Sequence, residues 1–261
     1  MKNIIFIEGV SGIGKSTTVN KLGETLRNLG YKVNCHDEGS PNSPLHLCWA
    51  AYLEIHEYEN LLRSYPEFVD EINKNIIYKD DYVLIRYRIR ETALYSQELT
   101  DELHKREFCF NPFNAVVPLA KFTEVFANLW RRFAVSDEAR DLDYAIFDAS
   151  LVSHMTNDLI RNYNASEAEL IEHLEILINV IRHLNPIVIY LSSENVEERL
   201  IKARHCRGQT SPTKDKIKFW EKRKQMDVSI LPKLSITPKT IDIVDDNWDF
   251  VVSEILLMLS K

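Results

Sequence analysis

The stretch Phe6-Ile7-Glu8-Gly9-Val10-Ser11-Gly12-Ile13-Gly14-Lys15-Ser16-Thr17 decides the fold. Residues 3–8 form a short apolar run with β-branched side chains, as expected of a strand buried on both faces of a parallel sheet. Downstream, Val19, Leu22, Leu26 and Leu29 recur at helical spacing until Gly30 stops them. A glycine-rich turn between strand and helix points successive backbone N–H groups inward, and the helix N-terminus adds partial positive charge. Such a turn cradles polyphosphate without many cationic side chains. Of the 7 glycines in the chain, Gly9, Gly12 and Gly14 sit here. The spacing Gly-x-x-x-x-Gly-Lys-Ser predicts that Gly9, Ser11, Gly12, Ile13, Gly14, Lys15, Ser16 and Thr17 hold a nucleoside triphosphate. In it Lys15 reaches the β- and γ-phosphates and the Ser16 hydroxyl ligates Mg²⁺.

Residues 31–37 supply a second strand, completing a strand-helix-strand unit, and a Ser/Pro/Asn cluster follows Glu38-Gly39. Further strands are predicted at 143–148, 187–191 and 240–244, and helices at 170–184, 195–205, 215–231 and 247–259. Ser166 and Glu169 form a capping box ahead of the first of these helices. The alternation implies an α/β fold with a parallel sheet covered on both faces and ligands at the carboxyl ends of its strands. Glu38, Asp148, Ser192 and Asp245 are then expected on one rim. Residues 44–140 differ: glycine is absent, aromatic and charged residues dominate, and helical spacing recurs in 45–62, 82–103 and 113–133. This stretch reads as a helical insertion in a single domain whose core is 1–43 and 141–261.

The net charge of −7 gives no overall field that would draw the chain to a nucleic-acid polymer or an anionic bilayer. Cys35, Cys48, Cys109 and Cys206 lack CxxC spacing, which argues against a zinc knuckle or a disulfide framework. No apolar run has membrane-spanning length. The expectation is a soluble cytoplasmic protein.

The chain lacks the Asn-Lys-x-Asp motif of GTPases, an ABC-type signature and a second ATPase core, which leaves small-molecule kinases. It resembles the thymidylate kinase and deoxynucleoside kinase group of P-loop kinases in three places. These are Phe6-Ile7-Glu8-Gly9 running into the loop, Asp37-Glu38-Gly39 closing the second strand, and Ile189-Tyr190-Leu191 followed by Glu197-Glu198-Arg199-Leu200-Ile201-Lys202-Ala203-Arg204. The resemblance covers roughly the first forty residues and those after Asp141. It implies a three-layer P-loop NTPase fold with five strands in the order 2-3-1-4-5, a substrate-binding helical region between strands two and three, and an arginine-bearing lid, here 199–215. It also implies ATP and Mg²⁺ as donor and cofactor, Glu38 as base or orienting group near the acceptor, and Asp148 as the acidic residue ending strand three. Two departures are plain: Ala149 stands where an arginine follows the aspartate, and Gly39 where a proline follows the glutamate.

Phosphoryl transfer needs in-line positioning and cations for the charge spreading over the transferred oxygens. Arg204 and Arg207 are placed to supply the latter over the triphosphate, or they belong to a solvated basic helix face with Arg199. Asp148 either holds Mg²⁺ through water or polarises the acceptor, or it caps the helix after it. Glu8 is read as ordering the loop. Arg86 and Arg90 share a helical face and either grip a substrate or pair with surface acids. Trp49, Tyr52, His56, Phe122, Phe126 and Trp130 are stacking groups or core. Asp245-Asp246-Asn247-Trp248 stands where kinases of this type wrap adenine, or caps a helix. The leading expectation is an ATP- and Mg²⁺-dependent phosphotransferase acting on a small molecule. The alternatives are an ATP-binding switch without an acceptor, and an antibiotic or sugar kinase on the same core.

Overall fold

The computed structural model describes residues 3–38, 40, 43–89, 92–111 and 115–260. The quoted stretch folds as its pattern requires. β1 (Asn3–Glu8) leads through the loop into α1 (Lys15–Asn28), and the chain returns as β2 (Val33–His36). The intervening stretch then contributes β3 (Ala50–Glu54), α2 (Ile55–Ser64), α3 (Val69–Lys74), β4 (Ile76–Tyr78), β5 (Tyr82–Arg86), a small hairpin of β6 (Arg88–Ile89) and β7 (Thr92–Ala93), α4 (Gln97–His104), α5 (Leu119–Ala134) and α6 (Asp137–Asp141). The core resumes with β8 (Tyr144–Asp148), α7 (Val152–Tyr163), α8 (Glu167–Ile181), β9 (Pro186–Ser192), α9 (Val196–Cys206), α10 (Lys214–Ile230), β10 (Lys239–Asp242) and α11 (Trp248–Leu259).

The central sheet has 5 strands in the order β2-β8-β1-β9-β10. Every pairing is parallel, so the fold is α/β and, counting only core strands, the order is the expected 2-3-1-4-5. Alternation along β1 sends Ile5 and Ile7 to a layer with Val19 and Leu22 of α1 and Ile255 of α11. Ile4 and Phe6 point the other way, into a layer with Phe126 and Trp130 of α5 and Leu174 and Leu177 of α8. A central strand buried on both faces must be apolar at every position, which is why 3–8 reads as a continuous run. Among the described residues no helix is long and apolar enough to cross a membrane.

The stretch between β2 and β8 is not wholly helical. β3, β5 and β4 form an antiparallel sheet, and the helices predicted over 45–62 and 82–103 begin as strands, Ala50–Glu54 and Tyr82–Arg86. Ala50 and Tyr52 face the main core while Ala51 and Leu53 face a second cluster with Val83, Ile85 and Leu99. With both faces apolar the period-two signal vanishes, and such a run matches a helical template equally well. The aromatic residues divide accordingly. Tyr52, Phe122, Phe126 and Trp130 are core, and His56 is exposed.

Trp130 joins α5 to the sheet: its ring stacks on Phe6 at 5.6 Å between centroids, and its Nε1 donates to Leu45 O at 3.3 Å. Trp130→Ala is expected to lower stability by about 3–5 kcal/mol. In urea unfolding this is a lower midpoint with an unchanged slope.

Candidate active site

β1 ends at the carboxyl edge of the sheet, and the loop that follows is shaped by close approaches. At Gly9 φ is +137°, and a Cβ would stand 2.5 Å from Leu191 O of β9. Gly14, at φ +101°, is the N-cap of α1, and a Cβ there would enter the Trp248 ring at 2.0 Å. Only glycine fits either place. Lys15 folds back over the turn, its Nζ donating to Gly9 O at 3.1 Å and Val10 O at 3.2 Å.

A second layer of contacts anchors the turn. The Glu8 carboxylate, fully buried, accepts the N–H groups of Leu151 (2.8 Å) and Ser153 (2.7 Å). Burial raises its pKa against these hydrogen bonds. Ser153 Oγ accepts the Gly9 N–H and donates to the Gly9 carbonyl, both at 3.0 Å. From α10, the buried Arg223 donates to Ser153 O at 3.1 Å, Val152 O at 3.2 Å and Asn157 Oδ1 at 2.8 Å. It pairs with Asp227 at 2.8 Å, which accepts the Tyr190 hydroxyl at 2.9 Å. Glu8 thus orders the loop, as the sequence suggests.

Asp148 ends β8, beside β1. Its Oδ2 accepts the Ser16 hydroxyl at 2.5 Å. Its Oδ1 is buried and has no hydrogen-bond partner among the described residues. Burial pushes the carboxyl up to about 6; Lys15 and the Ser16 hydrogen bond oppose the shift, and Glu38 and Asp37 add to it. A serine hydroxyl and an aspartate with one unused oxygen are hard oxygen donors that fit Mg²⁺. The following residue, Ala149, is left-handed at φ +58°, held by its N–H to Ile7 O at 3.0 Å. A non-glycine residue in that region is strained, as often found beside functional groups.

A cleft of about 300 Å³ lies between the loop and α9. Lys15, Ser16, Thr17, Glu38, Arg207 and Trp248 line it, with Ser11, Gly12 and Gly14 at its floor. Glu38 comes from the turn after β2, so the ends of β1 and β2 and the end of α9 meet there. Ile13 packs into the core under the loop instead. Arg204 turns away from the cleft and donates to the carbonyl of Thr210, with Oγ1 at 3.5 Å. Its position on α9, one turn from residues that do line the cleft, does not direct it inward. Arg86 sits at the end of β5, where its charge acts on His46, and is not among the cleft residues. Arg90 lies outside the described residues.

Sequence reasoning gave no site role to Lys202, Ser153 or Arg223, which help build the site. Arg199 and Lys202 line the cleft, both bonded to Asp246, and Arg199 Nη2 also reaches Ile243 O at 2.9 Å. Asp245 and Asp246 are both left-handed, at φ +53° and +50°, and the turn they make sets Trp248 against Gly14. A second cleft of about 630 Å³ continues from Arg199 and Asp246 past Ser193 and Asp242. The charge pattern of α9 hinted at Arg199 and Lys202. Ser153 and Arg223 carried no signal, because their contacts span 144 and 70 residues.

No protein-family model matches the chain, and no curated protein matches it. Many solved structures are similar to it, two kinases among them. One is a gluconokinase from Sinorhizobium meliloti 1021, at 13% identity over 99% of this chain and 92% of that one, TM-score 0.41. The other is a thymidylate kinase from Ehrlichia chaffeensis, at 14% identity over 98% of each chain, TM-score 0.46. With TM-scores this low, neither likeness assigns an activity to the chain.

Because burial raises Asp148 from 3.8 to about 6, its ionisation opposes folding: the penalty is absent below the lower value and complete above the upper one. Asp148→Asn is therefore expected to stabilise the metal-free, nucleotide-free protein by about 3 kcal/mol at neutral pH. The gain should shrink as pH falls from about 6 towards 4, which urea unfolding at a series of pH values reads.

Proposed function

We propose that the protein is an ATP- and Mg²⁺-dependent phosphotransferase that moves the γ-phosphate to a hydroxyl of a small-molecule acceptor. The observation that carries this reading is that the glycine loop, its lysine and Glu38 from the turn after β2 line one cleft, beside a buried aspartate bonded to the loop serine. A loop that only bound nucleotide would need no carboxylate across the cleft from its lysine.

In this reading the loop N–H groups and Lys15 bind the β- and γ-phosphates, and Ser16 and Asp148 would hold Mg²⁺. Mg²⁺, when bound, neutralises charge on the bridging and terminal oxygens. Lys15 leaves its two loop carbonyls for the phosphates, which accept more strongly because they are anionic. Glu38 takes the acceptor's hydroxyl proton or orients that hydroxyl. As the new O–P bond forms, the bond from the γ-phosphorus to the β–γ bridging oxygen breaks, and ADP keeps the bridging oxygen. Arg207 faces the same cleft and offsets the charge on the transferred group. Arg204 joins it only when the lid, residues 199–215, closes and releases Thr210. The second cleft, beside Asp245 and Asp246, takes the base and ribose of the nucleotide. Arg86 belongs to the acceptor side.

ADP release against a panel of nucleosides, nucleotides, sugars and aminoglycosides is the test. At least one acceptor should raise turnover above background hydrolysis, and Lys15→Ala should abolish the increase. Glu38→Gln is expected to lower kcat about 10²–10⁴-fold while leaving nucleotide affinity unchanged. Slow hydrolysis that no acceptor stimulates would replace this reading with a nucleotide-dependent switch.

A further inference from the structure

α7 carries two buried polar residues one helical turn apart, His154 and Asp158. Spacing of i and i+4 puts both on one face, and the stretch between β2 and β8 brings two thiols to it. Ligand atoms of Cys109, His154 and Asp158 all lie within 4.8 Å of one another, and all three residues are buried. His154 Nε2 stands 3.4 Å from Asp158 Oδ2 and 3.7 Å from Cys48 Sγ. Around a tetrahedral zinc ion, with bonds of about 2.0 Å to N and O and about 2.3 Å to S, nitrogen and oxygen ligands are about 3.3 Å apart and nitrogen and sulfur about 3.5 Å. Both observed separations agree within a few tenths of an ångström. We propose that Cys109, His154 and Asp158 form a site for one zinc-class divalent cation that ties the intervening stretch to α7, with Cys48, which lies beside His154 but outside that group of three, moving in as the fourth ligand.

Two further observations point to a ligand here. Asp158 is fully buried; neither of its oxygens completes a hydrogen bond of strict geometry, and the Cys109 thiol, the Phe110 N–H and the His154 imidazole are the groups that face it. A carboxylate so enclosed is retained where opposite charge compensates it, the His154 imidazole in the empty protein and the cation in the loaded one. The backbone that carries the thiols is also held in place with unusual care. Glu107 Oε1 accepts the N–H of Trp49 at 3.2 Å and that of Cys109 at 3.3 Å. Tyr87 donates to the other oxygen. One buried carboxylate thereby sets both cysteine-bearing segments. The residues after the two cysteines, Trp49 and Phe110, are left-handed at φ +59° and +46°, a strained state that surrounding structure must maintain.

The donor set separates this site from the one at Asp148. Thiolate and imidazole select zinc-like cations, whereas hydroxyl and carboxylate oxygens suit Mg²⁺. Cys48 is part-exposed and gives an entering ion its path. The cation is structural: α7 begins at Val152, just past Asp148, so clamping α7 to Cys48 and Cys109 fixes where the intervening stretch stands relative to the phosphate loop.

The probe is Zn²⁺ alone, titrated into the full chain after chelator treatment in competition with a chromophoric indicator, with Co²⁺ as spectroscopic reporter. One equivalent should bind with release of protons from the thiols, and Co²⁺ should give a thiolate charge-transfer band with the visible bands of four-coordinate cobalt. Cys109→Ser and Asp158→Asn should each weaken Zn²⁺ at least about 10²-fold, whereas Asp148→Asn should not. Should Cys109→Ser fail to fold, Cys48→Ser serves, by a diminished charge-transfer band in a folded protein. Absence of stoichiometric Zn²⁺, a cobalt spectrum without thiolate character, or loss of binding only in Asp148→Asn would overturn the proposal and leave a hydrogen-bonded imidazole–carboxyl cluster. None of these results depends on whether an acceptor for phosphoryl transfer is found.

Discussion

Two parallel strands, β1 and β8, end side by side, and the chain leaves them in different directions, one into the glycine-rich loop and the other into α7. Their relative position is set by a buried carboxylate. Glu8, the last residue of β1, takes the N–H groups of Leu151 and Ser153 at the start of α7, and Ser153 in turn grips both polar groups of Gly9. These are donors a helix start leaves unsatisfied, and the carboxylate caps them without a separate N-cap residue. Because Asp148 lies between these contacts, the Ser16–Asp148 hydrogen bond follows from the same clamp. Arg223 extends it to α10 by taking carbonyls at the start of α7, so the helix after the proposed lid is anchored to the loop from behind.

Asp148 illustrates how stability and function compete at this edge. Ionised and buried with an unused oxygen, it is costly to the empty protein, and its raised pKa expresses that cost. A divalent cation would reverse it, since the positive charge favours the ionised form. The strain at Ala149 has the same logic: the turn holds Asp148 against Ser16 rather than relaxing into a regular helix start. A site preorganised to accept charge is less stable without it.

The core of the fold was legible because burial on both faces demands apolar strands, and glycines mark where backbone approaches backbone. The glycine turn was legible for the same reason, and Glu8 could be read as an ordering group from its place alone. The stretch between β2 and β8 was misread where strands buried on both faces lose their alternation, as at Ala50–Glu54 and Tyr82–Arg86. Spacing on α9 could not say which arginine turns inward: Arg207 does and Arg204 does not, a difference decided by the Thr210 carbonyl nearby. Ser153, Arg223 and the meeting of Cys109 with His154 depend on contacts between segments far apart in sequence, which no local pattern encodes.

The central claim is that the loop, Lys15 and the Ser16–Asp148 pair form one Mg²⁺-dependent nucleotide site. Equilibrium titration of the chain with ATP, with and without Mg²⁺, tests it most directly. The account predicts binding that is tightened by Mg²⁺ in the native chain, loses that tightening in Ser16→Ala, and is lost in Lys15→Ala. ATP binding that is indifferent to Mg²⁺ and to both substitutions would contradict it.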